Sequence, residues 1–258
     1  LTEEIERQPK ILYFDIETTN LSAGFGVMLM FAYCWHNDRD NVKVETICNY
    51  SKSFQLSPEK ADLYLVKSLT KLINEADIVV AHFGGRFDVP FLRTRCLVHG
   101  LHIPKTKWKN VFDTWMIAKK QLRFTANSLK CIAKGLGVEN QKDELPLYVW
   151  QWTQGVTDTG YFRQAIEEMA DYCKQDVRTL YDIAQLLRPL AKHLPSFAAI
   201  TGAKGLVCPN CGSLEVEYKG VDAGKSTAYF EYQCKKCGNW FRGVENIRKI
   251  PKEERTMY

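Results

Sequence analysis

The sequence predicts an α/β fold: a mixed sheet flanked by helices, followed by a small unit knit together by cysteine pairs. Three observations carry this reading. Short β-rich apolar runs recur at 10–17, 26–37, 41–50, 76–85 and 110–114, with helical spacing between and after them. A polar NDRD at 37–40 makes a hairpin of the second and third runs, so an antiparallel edge lies beside parallel strands. Near residue 195 the helical spacing stops, and glycines and CxxC pairs take over.

In order along the chain, ILYFDIET is four apolar residues running into Asp15, Ile16 and Glu17, a strand buried except at its acidic end. Ser57-Pro58 is an N-cap with proline at N1, and Leu63, Val66, Leu69, Leu72 and Ile73 keep helical spacing, which predicts a helix over 58–74. ADIVVAHFGG (76–85) is a strand closed by glycines. A helix over 87–99, a strand over 110–114 and helices over 114–121, 127–135 and 161–189 follow. The predicted domains are 1–195 and 206–258, with the boundary at about 196–206. LEVEYKG and AYFEYQC are β-like pieces of the second.

The chain has 258 residues, 45% of them apolar, enough for one large core with a small appendage. A net charge of +5 is compatible with a polyanionic partner without demanding one. The acidic start LTEEIERQPK is not a secretory signal, and no apolar run approaches a membrane span. Nine cysteines, an odd number, argue against a disulfide framework. Cys34, Cys48, Cys96, Cys131 and Cys173 read as scattered buried thiols. A reducing, cytoplasmic compartment and no membrane partner are expected.

The chemistry is in the acids. Asp15 and Glu17 alternate on a strand and so share a face. Asp88 follows a strand and a glycine pair. Tyr172 and Asp176 are four apart on a helix and share a face. Each has a plain reading: Asp15 ends a strand, Asp88 caps its helix, Tyr172 and Asp176 sit on an amphipathic helix. Converging, the four carboxylates would repel one another unless hard divalent cations, two Mg²⁺ or Mn²⁺, lay between them. Two such ions are the machinery of phosphodiester hydrolysis. Asp113 reads as the N-cap of the helix after it, and Asp171 and Asp182 as solvated.

FDIET, AHFGGRFDVPFL and YCKQD, in this order, resemble the three motifs of the DEDD 3′–5′ exonucleases, DnaQ-like enzymes with a ribonuclease H-like fold. The tyrosine four before the last aspartate is similar to the DEDDy branch. SLKCIAKGLG (128–137) resembles a segment of the proofreading domains of family B polymerases. The resemblance covers about 10–190. It implies that Asp15 touches both catalytic metals, that Glu17 and Asp176 complete the first site, and that Asp88 holds the second. Tyr172 would orient the attacking water. The loop TTNLSAGFG (18–26) would cradle the terminal nucleotide, with Thr18 and Asn20 in it and Leu21 or Phe25 against the last base. Phe83 stands where this group often carries asparagine, so His82 and Phe83 are weaker candidates for nucleic-acid contact. Arg86 and Trp108, the latter in IPKTKWKN, are candidates for phosphate and base contact.

Cys208, Cys211, Cys234 and Cys237 form two CxxC pairs, each followed by glycine, the spacing of a tetrahedral structural Zn²⁺. The segment resembles a zinc ribbon. Its Trp240, Phe241, Tyr229 and Tyr232 suit base stacking; docking of a separate DNA polymerase or replication protein, or a purely buttressing role, are the other readings. The expected activity is hydrolysis of single-stranded or frayed DNA from its 3′ end to nucleoside monophosphates. An exoribonuclease, or a non-catalytic nucleic-acid-binding or replisome-docking module, are the alternatives.

Overall fold

The computed structural model describes residues 9–105, 110–138, 144–192 and 194–248. Two compact units divide the chain, Lys10–Leu187 and a second holding the residues from Arg188 onward. In the first, β1 (Ile11–Thr18), β2 (Met28–Trp35) and β3 (Lys43–Thr46) form an antiparallel meander. Helix α1 (Leu63–Glu75) leads to β4 (Ile78–Ala81), and α2 (Asp88–Val98) to β5 (Val111–Asp113). Both β4 and β5 run parallel to β1, and the sheet order is β3-β2-β1-β4-β5. This is the mixed sheet the sequence predicts, consistent with a ribonuclease H-like fold. Helices α3 (Thr114–Gln121), α4 (Leu129–Gly135), α5 (Leu147–Trp152) and α6 (Gly160–Leu187) complete the unit.

Alternation along β1 explains why the sheet is covered on both sides. Tyr13 packs its ring 4.6 Å from Tyr181 of α6 and accepts a hydrogen bond from Gln185 Nε2 at 2.8 Å. Leu12, Phe14 and Ile16 point the other way and are buried as well. Helix α6 buries Phe162, Ile166, Met169, Cys173, Val177, Leu180 and Leu187, one stripe at helical spacing. Asp15, Glu17 and Tyr13 share a β1 face, so the acids are turned to the α6 side.

Several boundaries move for local reasons. The strand expected over 41–50 stops at Thr46, whose N–H is taken by Asn49 Oδ1 at 2.6 Å, and a 3₁₀ turn follows. The helix expected from residue 58 starts at Leu63 after a 3₁₀ turn over Pro58–Lys60. Helix α5 was not expected; six residues after Pro146 are too few to show a period. Of the scattered cysteines, Cys34, Cys96 and Cys173 are buried, but Cys48 and Cys131 are only half-buried.

The second unit holds α7 (Phe197–Thr201) and an antiparallel sheet of β6 (Val216–Ala223), β7 (Ala228–Cys234) and β8 (Trp240–Arg242), in that order. Arg188 belongs with it: its Nε donates to Asn210 O at 3.1 Å, its own carbonyl accepts from Asn210 Nδ2 at 2.8 Å, and its guanidinium lies 4.3 Å from the Phe197 ring. Among the described residues no helix is long and apolar enough to cross a membrane.

Candidate active site

Pairing of β1 with β2 slips just after the acids: Glu17 faces Met30 but Thr18 faces Met28. Such irregularities re-aim side chains at a strand end. Asp15, Glu17 and Cys173 each place a ligand atom within 4.8 Å of the others. Cys173 Sγ lies 3.7 Å from both Asp15 O and Asp15 Oδ2, which seats α6 directly against the acidic end of β1. Tyr172 precedes it on α6. Burial first, then the charges of Asp176, Glu17 and Asp15, raise the Tyr172 phenol well above its usual range. Those contacts put Tyr172, Asp176, Asp15 and Glu17 in one neighbourhood.

Asp88 reaches the same strand end from α2. It is the first helical residue, with Phe87 at the N-cap, so its carboxylate does not cap the helix from outside. It is 3% exposed and accepts a hydrogen bond from the backbone N–H of Ile16, the residue between Asp15 and Glu17. Burial pushes its pKa up to about 7, against the hydrogen bonds from its own N–H and that of Ile16. A buried carboxyl without a cation holds its proton.

A stability change follows for the metal-free protein. Asp88 costs nothing below about pH 4, where the folded and unfolded chains both carry the proton. The cost grows as pH rises, because the unfolded chain ionises near the ordinary 3.8 and the folded one near 7. Asp88→Asn therefore raises the chelated protein's stability by about 2–4 kcal/mol above pH 7, from roughly three units at 1.36 kcal/mol each. The gain disappears at pH 4. Urea unfolding in chelator at pH 4 and pH 8 measures it, and an equal effect at both would refute the burial argument.

Asp113 organises the approach to Asp88. It is the N-cap of α3, as the sequence predicts, its Oδ1 accepting from Met116 N at 3.1 Å. It also accepts from Phe83 N and Gly85 N, both at 3.1 Å, a role not legible in the sequence. Phe83 has φ +63°, a left-handed conformation unusual for a bulky residue, and these two bonds hold it there. Gly84 is required beside it: a Cβ there would sit 2.2 Å from Ala81 Cβ. The His82 ring is occupied inside the fold, 2.9 Å from Thr114 Oγ1 and 2.9 Å from Asn127 O, so it ties α3 to the start of α4.

The loop after β1 projects two large apolar side chains, Leu21 at 84% and Phe25 at 89% exposure. Thr18 Oγ1 donates to Asn20 O at 3.0 Å and Asn20 Oδ1 accepts from Ser22 N at 2.8 Å, so both polar candidates shape the loop itself. A buried cluster clamps it from behind. Arg95 Nη1 donates to Ala23 O at 3.2 Å, its Nε and Nη2 grip Asp62 at 2.8 and 2.7 Å, and Nη2 also donates to Glu59 O. Asp62 further accepts from Met28 N at 2.9 Å and contacts His99 Nε2 at 2.7 Å. Burial alone would raise Asp62, but His99, Arg95 and the Met28 N–H outweigh it and hold the carboxyl below its usual range. The sequence hid this clamp, because Asp62 and Arg95 are 33 residues apart with no shared motif.

Arg86 is exposed, its guanidinium 5.7 Å from the Trp115 ring. Trp108 lies outside the described residues. Asp182, expected on a solvated face, makes a two-pronged ion pair with Arg39 at 2.6 Å on each arm. Asp171 is exposed and meets Lys174 at 2.9 Å.

In the second unit Cys208, Cys211, Cys234 and Cys237 bring their sulfurs within 4.8 Å of one another. Cys208–Cys237 and Cys211–Cys234 are 3.7 and 3.6 Å apart, too far for a disulfide and close to the roughly 3.8 Å edge of a tetrahedron with Zn–S bonds of about 2.3 Å. The knuckles match: Gly212 N and Gly238 N donate to Cys208 O and Cys234 O, and both glycines have φ +73°. Backbone N–H groups of Asn210, Cys211, Ser213 and Asn239 point at the sulfurs, as thiolates require. The four cysteines fit a zinc ion.

A mixed sheet with a helix-borne tyrosine and acids gathered at the end of its central strand defines the class, an α/β protein with an acidic cluster at one sheet end. The profile of the RNase_H superfamily matches residues 12–188, and the chain belongs to that superfamily. Among solved structures it is similar to the family B DNA polymerase from the hyperthermophilic archaeon Pyrobaculum calidifontis, with a TM-score of 0.53 and 15% identity over 77% of this chain and 28% of that one. It is also similar to E. coli Exonuclease I in complex with a dT13 oligonucleotide, with a TM-score of 0.38 and 15% identity over 52% of this chain and 37% of that one. The chain thus spans well under half of either structure's length. No curated protein matches it.

Proposed function

We propose that the protein is a 3′–5′ exonuclease of the DEDDy type, acting on single-stranded or frayed DNA 3′ ends. The observation that carries the reading is the convergence of Asp15, Glu17, Asp176 and Tyr172, with Asp88 bonded to Ile16 between the first two. Carboxylates so placed suit two Mg²⁺ or Mn²⁺ ions, Asp15 shared, Glu17 and Asp176 on one and Asp88 on the other. When bound, such ions supply a water nucleophile and a charge for the departing 3′ oxygen. A free phenol ionises near 10 and burial alone raises that of Tyr172 further, so a neutral Tyr172 would orient water by hydrogen bonding. Leu21 and Phe25, exposed on a clamped loop, would pack against the terminal base. The four-cysteine unit is read as a Zn²⁺-held ribbon that grips nucleic acid or a separate replication protein.

Incubation with 5′-labelled single-stranded DNA or RNA, in Mg²⁺ or in chelator, tests the reading. A descending ladder on DNA in Mg²⁺ only is expected. A ladder on RNA alone reassigns the substrate, and no ladder on either refutes the activity.

A further inference from the structure

Beside Asp88 the surface carries a cluster of opposite character. Lys119 Nζ lies 4.6 Å and the Arg86 guanidinium 5.7 Å from the centroid of the same ring, Trp115. The Phe83 ring packs against that indole at 4.7 Å, nearly edge-on. Both cations are exposed, and neither is ion-paired to a carboxylate among the described residues. The nearest acid in sequence to Trp115, Asp113, is 1% exposed and committed to the N–H groups of Phe83, Gly85 and Met116. An indole draws cations to its face, but two on one ring repel each other. The arrangement therefore keeps an uncompensated positive field on a rigid base, which an arriving anion would neutralise.

Position says which anion. Arg86 is two residues before Asp88, on the 83–87 loop that Asp113 fixes, and Trp115 is two residues after Asp113. The cluster therefore sits on the loop that leads into Asp88 and on the helix that Asp113 caps. From this geometry we infer that Arg86, Trp115 and Lys119 form a phosphodiester-binding subsite that grips the nucleic-acid strand on the 5′ side of the bond cleaved at the carboxylates; the inference rests on the nuclease reading above. Phosphate contacts of this kind position a strand without reading its bases. Trp115 serves as the platform that holds the two cations together.

The test uses the full chain carrying Asp15→Asn in Mg²⁺, so that the strand is not consumed, and anisotropy of 5′-labelled dT12 against salt. Arg86→Gln with Lys119→Gln should weaken dT12 binding about tenfold at low salt. The slope of log affinity against log salt should become shallower by about 1.4, two contacts at about 0.7 each on a single strand. Arg86→Lys with Lys119→Arg should restore both. Competition by dTMP should be unaffected, since a mononucleotide does not reach beyond the terminal position. Unchanged affinity and slope, weakening with an unchanged slope, or equal loss of dTMP binding would each overturn the subsite. Failure of the nuclease reading shows separately, as absence of digestion by the unsubstituted chain, and leaves the binding measurements interpretable.

Discussion

Asp15→Asn is expected to lower metal-dependent digestion of a single strand by about a thousandfold, some 4 kcal/mol of transition-state stabilisation. The side chain keeps its size and loses only its charge. Asp15 is the acid the geometry places most centrally: its Oδ2 is 3.7 Å from Cys173 Sγ on α6, Glu17 is two residues on, and its charge acts on Tyr172. In the proposed arrangement it is the carboxylate shared by both cations, so its loss affects both. The chelated protein should not be weakened, because one member of a repelling cluster has gone. Circular dichroism and urea unfolding in chelator check the fold, and single-turnover digestion checks the chemistry. Undiminished digestion would remove the acids from the mechanism, whatever the fold resembles.

Much of this site was legible because its parts are local. A strand's alternation puts Asp15 with Glu17, and a helix turn puts Tyr172 with Asp176; both relations exist within five residues of sequence. What brings α6 to β1 is visible as well, as a stripe of apolar residues that must be buried. The supports were not legible. Asp113 shows as a helix cap because capping is local, but its grip on Phe83 and Gly85 spans about 30 residues. Arg95, Asp62 and His99 read separately as ordinary polar residues, and only the fold turns them into the clamp behind the 19–27 loop. Asp182 looked solvated for the same reason, since Arg39 reaches it from the turn between β2 and β3. The Arg86, Lys119 and Trp115 cluster was likewise dispersed along the chain. Short elements escaped too: α5, α7 and β8 have three to six residues, less than two periods of any pattern.

Withdrawing zinc should unfold the β6–β8 unit. Its strands bury little: in β6 every residue is exposed or half-buried, and in β7 only Cys234 is fully buried. Three strands with no apolar layer of their own do not supply stability in a unit of this size. The binding energy of the metal is then the folding energy, about 10–16 kcal/mol for structural zinc at neutral pH. Cys208→Ser with Cys211→Ser removes both sulfurs presented by the knuckle that Gly212 N closes on Cys208 O at 2.8 Å. Metal analysis should fall from one zinc per chain to none, and hydrogen-exchange protection across Val216–Arg242 should be lost. Protection within Lys10–Leu187 should persist, because that unit has a buried sheet and all the proposed catalytic acids. Digestion of short single strands should persist with it, and loss confined to long strands would assign the ribbon to nucleic-acid grip. Full protection of β6–β8 in the metal-free variant would show that the cysteines are not what holds the unit together.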